Sequence, residues 1–172
     1  MHACVVGEFL GPAGASSRRR VNCPESTKAV QGRPFTMAHV TIHRLPIIQV
    51  SPRGVVRRLS VSVENDCGRV TRYFPGIENG DDPDKVPAGD HELVMATMAT
   101  KGYRALWLQG TELFGHPANW PDQLHGCWAI GQELWTNGVG RSSNAFNSLW
   151  EALGGFEEGR KVPVTVVEYA TR

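Results

Sequence analysis

The chain lacks most of the short signatures that assign chemistry at sight. Its four cysteines, Cys4, Cys23, Cys67 and Cys127, form no CxxC pair and follow no regular spacing, which argues against a zinc finger or a disulfide scaffold. No apolar run approaches the roughly 18 residues that a membrane-spanning helix requires. Charge of one sign is also missing: 18 basic residues face 17 acidic ones, a net of +1. Such a balance supplies no field to draw in nucleic acid or an anionic membrane. No internal repeat appears, and no pattern calls for a cofactor. A reduced, cytoplasmic setting is the default, with a virion or the periplasm after release left open.

What is present is enough for one domain. A length of 172 residues, 41% of them apolar, supports a single core with or without a tail. The first 36 residues stand apart. They carry five of the basic residues and only two of the acidic ones, none of the tryptophans, and no sustained period of two or of 3.6. Glu8 interrupts the one short apolar stretch, so a signal peptide fits poorly. Residues 1–36 therefore read as a disordered extension or as a start assigned too early, with Met37 the first residue. Residues 37–172 read as one β-rich domain.

Within that domain the pattern is mostly of period two. Val40–Ile48 reads as an edge strand ending near Pro46. In 54–65, Leu59, Val61 and Val63 alternate as in a half-buried strand. Asn65-Asp66-Cys67-Gly68 has turn chemistry, so Arg69–Phe74 should return as a hairpin. The stretch 76–89 is expected to be a loop. Its Asp81, Asp82 and Asp84 lack the spacing and terminal glutamate of an EF-hand, and read as solvated. Further strands are expected at 90–98, 104–109, 126–134 and 162–169. One helix is clear: Phe146, Leu149, Trp150 and Leu153 share a face, Ser142 or Ser143 is placed to cap it, and Gly154 to stop it. The fold class that follows is mainly β (α+β), an antiparallel β sandwich or barrel with one packed helix.

The chemistry-bearing residues gather in one loop, His116 to Cys127. A thiol attacks a carbonyl carbon well only as thiolate, and an imidazole can take its proton while a third polar group fixes the ring. Cys127, with His116 or His125 as base and Asn119 or Asp122 as orienter, supplies every part. The amides near Gly126 to Trp128 could form an oxyanion site, and Gly126 would admit a substrate close to the backbone. Two other readings stand beside this one. Cys127 could be a small buried hydrophobe, since free cysteines often are. His116, His125 and Cys127 could also hold a metal ion with an open fourth position.

Read in order, Val86-Pro87-Ala88-Gly89, His116-Pro117-Ala118-Asn119, Gly126-Cys127 with Ile130-Gly131, and the helix from Ser142 to Leu153 resemble an uncharacterised domain family of phages and bacteria. The resemblance spans about residues 59–167. Ala118 stands where that family usually has glycine. His125-Gly126-Cys127 is in turn similar to three of the four signature positions of L,D-transpeptidases, with Leu124 in place of Ser or Thr. Those are cysteine enzymes of peptidoglycan cross-linking with a β-sandwich fold. The resemblance implies Cys127 as nucleophile on an amide of a cell-wall peptide, His116 as base, Asn119 as orienter and His125 as a further polar contact, in a phage or prophage lysis or wall-remodelling setting. The alternative is a non-catalytic structural or binding module whose partner is a phage structural protein or a glycan gripped by Trp107, Trp120, Trp128 and Trp135.

Overall fold

The structure, a computed structural model, describes residues 38–65 and 68–169. The N-terminal segment, the Asp66-Cys67 turn and three of the four cysteines therefore lie outside the described residues. Ten strands and one α-helix follow in the order β1 (His39–Ser51), β2 (Gly54–Glu64), β3 (Val70–Asn79), β4 (Gly89–Thr97), β5 (Arg104–Leu108), β6 (Phe114–Gly115), β7 (Trp128–Ile130), β8 (Glu133–Trp135), β9 (Gly138–Gly140), α1 (Ser142–Ala152) and β10 (Lys161–Glu168). The domain is mainly β. Eight of the strands close a barrel in the order β1-β10-β4-β5-β6-β7-β3-β2, and β8 with β9 forms a separate hairpin. Most pairs are antiparallel, but β1 with β10 and β6 with β7 run parallel. No helix among the described residues is long and apolar enough to cross a membrane.

Period-two alternation sorts the side chains into two cores. Even positions of β1 and β10 and odd positions of β2 point inward: Val40, Ile42, Leu59, Val61, Val164 and Val166 are almost wholly buried. The α1 face of Phe146, Leu149, Trp150 and Leu153 joins this same cluster. Val56, Ile77 and Ala129 have the opposite parity on β2, β3 and β7. They form a second, smaller core with Ala118, Leu124, Cys127 and Val139. The loop 116–125 and the β8–β9 hairpin cover that outer face. Arg58, pointing the same way from β2, pins the hairpin by donating to the carbonyls of Trp135, Thr136 and Gly138.

Several sequence expectations change here. β1 is not a simple edge strand: over Val40–Arg44 it pairs with β10 on one side and β2 on the other. Pro46, which has no N–H to give a ladder, falls where the β1–β2 register shifts between Arg44 and Ile48. β3 runs five residues past Phe74 into the expected loop, because Ile77 and Glu78 pair with Ala129 and Trp128 of β7. Glu78 is buried there in an ion pair with Arg44 of β1, at 2.9 Å, where the sequence pattern shows only polarity. The expected strand 126–134 is broken at Gly131-Gln132 into β7 and β8. A Cβ on Gly131 would lie 2.5 Å from that of Val139, so the chain can turn there only without a side chain.

Candidate functional site

The covering loop starts directly after β6, whose Gly115 pairs with Trp128 of β7. The His116 amide donates to the Trp128 carbonyl at 3.1 Å, which fixes where the loop leaves the sheet. A 3₁₀ turn at Pro121–Gln123 folds the loop back, and the Gln123 Oε1 accepts from the amides of Asn119 and Trp120. The loop is then tied to the start of α1. The Ala118 amide donates to Ser142 Oγ at 3.1 Å, and the Ser142 amide donates to Asn119 Oδ1 at 3.4 Å. Ser142 is thus not the expected helix cap, because its hydroxyl is turned back onto the loop. The N-cap residue is Arg141, held in the left-handed region at φ 53°, and its own side chain makes no capping bond.

These ties enclose a cleft of about 390 Å³. His116, Asn119 and His125 all line it, as do Lys101, Ser142 and Ser143. His116 is only 4% exposed. Its Nδ1 lies 3.1 Å from the Pro117 carbonyl, which can only accept, so Nδ1 carries the proton and Nε2 keeps a lone pair. Among the described residues Nε2 has no hydrogen-bond partner, and it is not one of the buried polar atoms sealed from the surface, so it opens on the cleft. Burial holds the His116 pKa below the ordinary imidazole value, and Lys101 pushes the same way against the Pro117 carbonyl. The ring is neutral at neutral pH.

Cys127 is placed differently. It is 6% exposed and belongs to the outer core with Ala129. It does not line the cleft, and its thiol is directed at the Glu112 carbonyl, 3.7 Å away. Among the described residues no hydrogen bond joins it to His116 or His125. Burial raises its pKa, and the Asp82 carboxylate adds to this against a pull from the Phe114 backbone and Lys101. One of the expected oxyanion donors is occupied as well: the Gly126 amide donates to Asp82 Oδ2 at 2.6 Å. Gly126 is needed because Asp84 comes close, not a substrate. At φ 69°, a Cβ there would lie 2.2 Å from the Asp84 carbonyl oxygen.

No protein-family model matches the chain, and no curated protein or solved structure does.

The structure thus gathers three of the four expected site residues at one cleft and leaves the fourth in a core. Among the described residues no group of three or more His, Cys, Asp or Glu side chains is arranged to hold a metal ion, so His116, His125 and Cys127 do not form a ligand set. Asn119 is engaged with α1 and does not orient His116; the Pro117 carbonyl does that. The tryptophans divide in the same way. Trp128 and Trp150 are core, while Trp120 of the covering loop meets Trp135 in a tilted pair with ring centres 5.2 Å apart, with Arg53 over Trp120. Lys101 and Ser143 give no sign of a site in the sequence. Lys101 stands alone in a turn, and Ser143 reads only as helix-start chemistry.

Proposed function

We propose that this barrel is a non-catalytic binding module whose ligand site is the His116 cleft. One observation carries the reading: a nearly buried imidazole presents an unpartnered acceptor to an open polar cleft, and nothing beside it is an activated nucleophile. Concave sites lined by a few converging polar groups are where small ligands bind, and this acceptor is one of the groups lining the cleft. The competing reading makes Cys127 the nucleophile on an amide. It requires the thiol to leave the Glu112 carbonyl, cross out of the outer core and reach a histidine. The neutral-pH thiolate it needs is opposed by burial and by Asp82.

The test is an amide and imidazole NMR titration of the full chain with acetate, inorganic phosphate, methylamine, glucose and glycylglycine at millimolar concentration. The module reading expects saturable shifts gathered on residues 116–119 and 142–144 for at least one of these. Shifts scattered over the surface, or none, refute it.

A further inference from the structure

The hydrogen bonds that build the cleft use up its acceptors and leave its donors. Gln123 Oε1 accepts from the amides of Asn119 and Trp120, at 2.9 and 3.2 Å, so the NH₂ of that side chain is left over. Asn119 Oδ1 accepts from the Ser142 amide, which leaves its NH₂ in the same way. Ser142 Oγ accepts from the Ala118 amide and keeps its own proton to give. All three residues line the cleft. Lys101 lines it too, and its ammonium makes no ion pair or hydrogen bond among the described residues. The carboxylate in the lining, that of Asp122, is already paired with Arg53 at 2.9 Å. These groups therefore offer a ligand N–H and O–H donors and one uncompensated positive charge. The exception is the acceptor at His116 Nε2, on a side chain that is almost wholly buried. Lys101 is near enough to act on that ring, favouring its neutral form.

Such a lining fits an oxyanion on one condition. The oxygen that meets the neutral imidazole must bring a proton, since two lone pairs repel. A phosphate monoester meets the condition: its second pKa is about 6, so it carries a proton at modest cost near neutral pH, and its other oxygens are strong acceptors. A carboxylate, of pKa about 4, brings none. We propose that the cleft binds the phosphate group of a small ester, its oxygens accepting from Lys101 and the lining amide and hydroxyl groups, with one proton shared between it and His116 Nε2. The inference rests on the cleft being the binding site. A volume of about 390 Å³ is more than a phosphate fills and leaves room for the esterified body. Negative charge beside the ring favours the imidazolium, so binding takes up a proton, with the ligand or from water. Tyr103, Asp122 and His125 are the other titratable side chains of the lining besides Lys101, so the pH response must be assigned by substitution.

The NMR titration of the full chain decides it, with glycerol phosphate, inorganic phosphate, sulfate and acetate, between about pH 8 and pH 5. Both phosphates should saturate shifts at Lys101, His116 and Asn119 and move the His116 ring nitrogens toward the imidazolium. Sulfate has the shape of phosphate but no proton. At the alkaline end it should bind at least about tenfold more weakly, and gain on phosphate as pH falls. Lys101→Gln, at an exposed position, should weaken phosphate roughly two- to fivefold. His116→Gln should remove the pH response of sulfate and His125→Gln should keep it. Sulfate as tight as phosphate on the native chain at every pH, or a pH response that follows His125 instead, overturns the shared proton. Acetate as tight as phosphate, or exclusion of glycerol phosphate, overturns the phosphate ester. Saturation by glucose, methylamine or glycylglycine with none by the anions overturns the oxyanion assignment and leaves the cleft reading standing. If no probe moves the cleft residues, both fall. The comparison of probes on the native chain needs no variant to fold.

Discussion

Alkylation of Cys127 separates the two functional readings most sharply, and its rate can be worked from the structure. A free thiol of pKa about 8.5 is roughly 3% thiolate at pH 7. Burial and Asp82 lower that fraction in the folded protein. Access is the larger barrier. To reach the sulfur, a reagent must open the outer core in which Cys127 packs with Leu124, which is fully buried, and Ala118. Exposing those side chains costs about 3–4 kcal/mol. That is a protection of roughly 10²–10³ relative to the unfolded chain. The assay is peptide-mapped mass spectrometry of iodoacetamide labelling at pH 7, native against urea-unfolded protein, repeated for His116→Ala. The expected outcome is slow labelling of Cys127, unchanged or faster in the variant. Labelling near the unfolded rate, slowed by His116→Ala, would establish an imidazole-activated thiolate and refute the core assignment.

Three further outcomes follow from the same coordinates. The folded His116 pKa is lowered, so the unfolded chain takes up the proton first as pH falls. Stability should decline from about pH 6.5, the ordinary imidazole value, down to the lower folded value, and His116→Gln should flatten that stretch of a urea-midpoint profile; an unaltered profile would contradict the burial assigned to the ring. Trp150 is 4% exposed and packs on Phe146 and Phe156, so Trp150→Ala should cost about 3–5 kcal/mol by thermal or urea unfolding. A loss under about 1 kcal/mol on that scale would mean the helix face is not in the core. Gly126→Ala forces a left-handed alanine against the Asp84 carbonyl and should destabilise by at least about 2 kcal/mol; a neutral effect in the same assay would show that the 82–84 loop does not pack there.

The sequence by itself determined the elements whose side chains repeat with a period. The alternation through Leu59, Val61 and Val63, the α1 face of Phe146, Leu149, Trp150 and Leu153, and the stop at Gly154 are all local, because burial on one face of a strand or helix is written in spacing. It also marked the loop carrying His116, Asn119 and His125, since loops rich in polar and proline residues between strands are where sites are built. Tertiary structure decided the rest. Parity tells which residues share a face of a strand, but not what covers that face. Cys127 shares parity with Ala129, and only the fold shows that Leu124 and Ala118 close over both. The Arg44–Glu78 pair, the capture of the Gly126 amide by Asp82, and the meeting of Lys101, His116 and Ser143 at one cleft all join residues 15 or more apart in the chain. Such contacts leave no period behind, because each depends on which strands close the barrel and which loops then lie side by side.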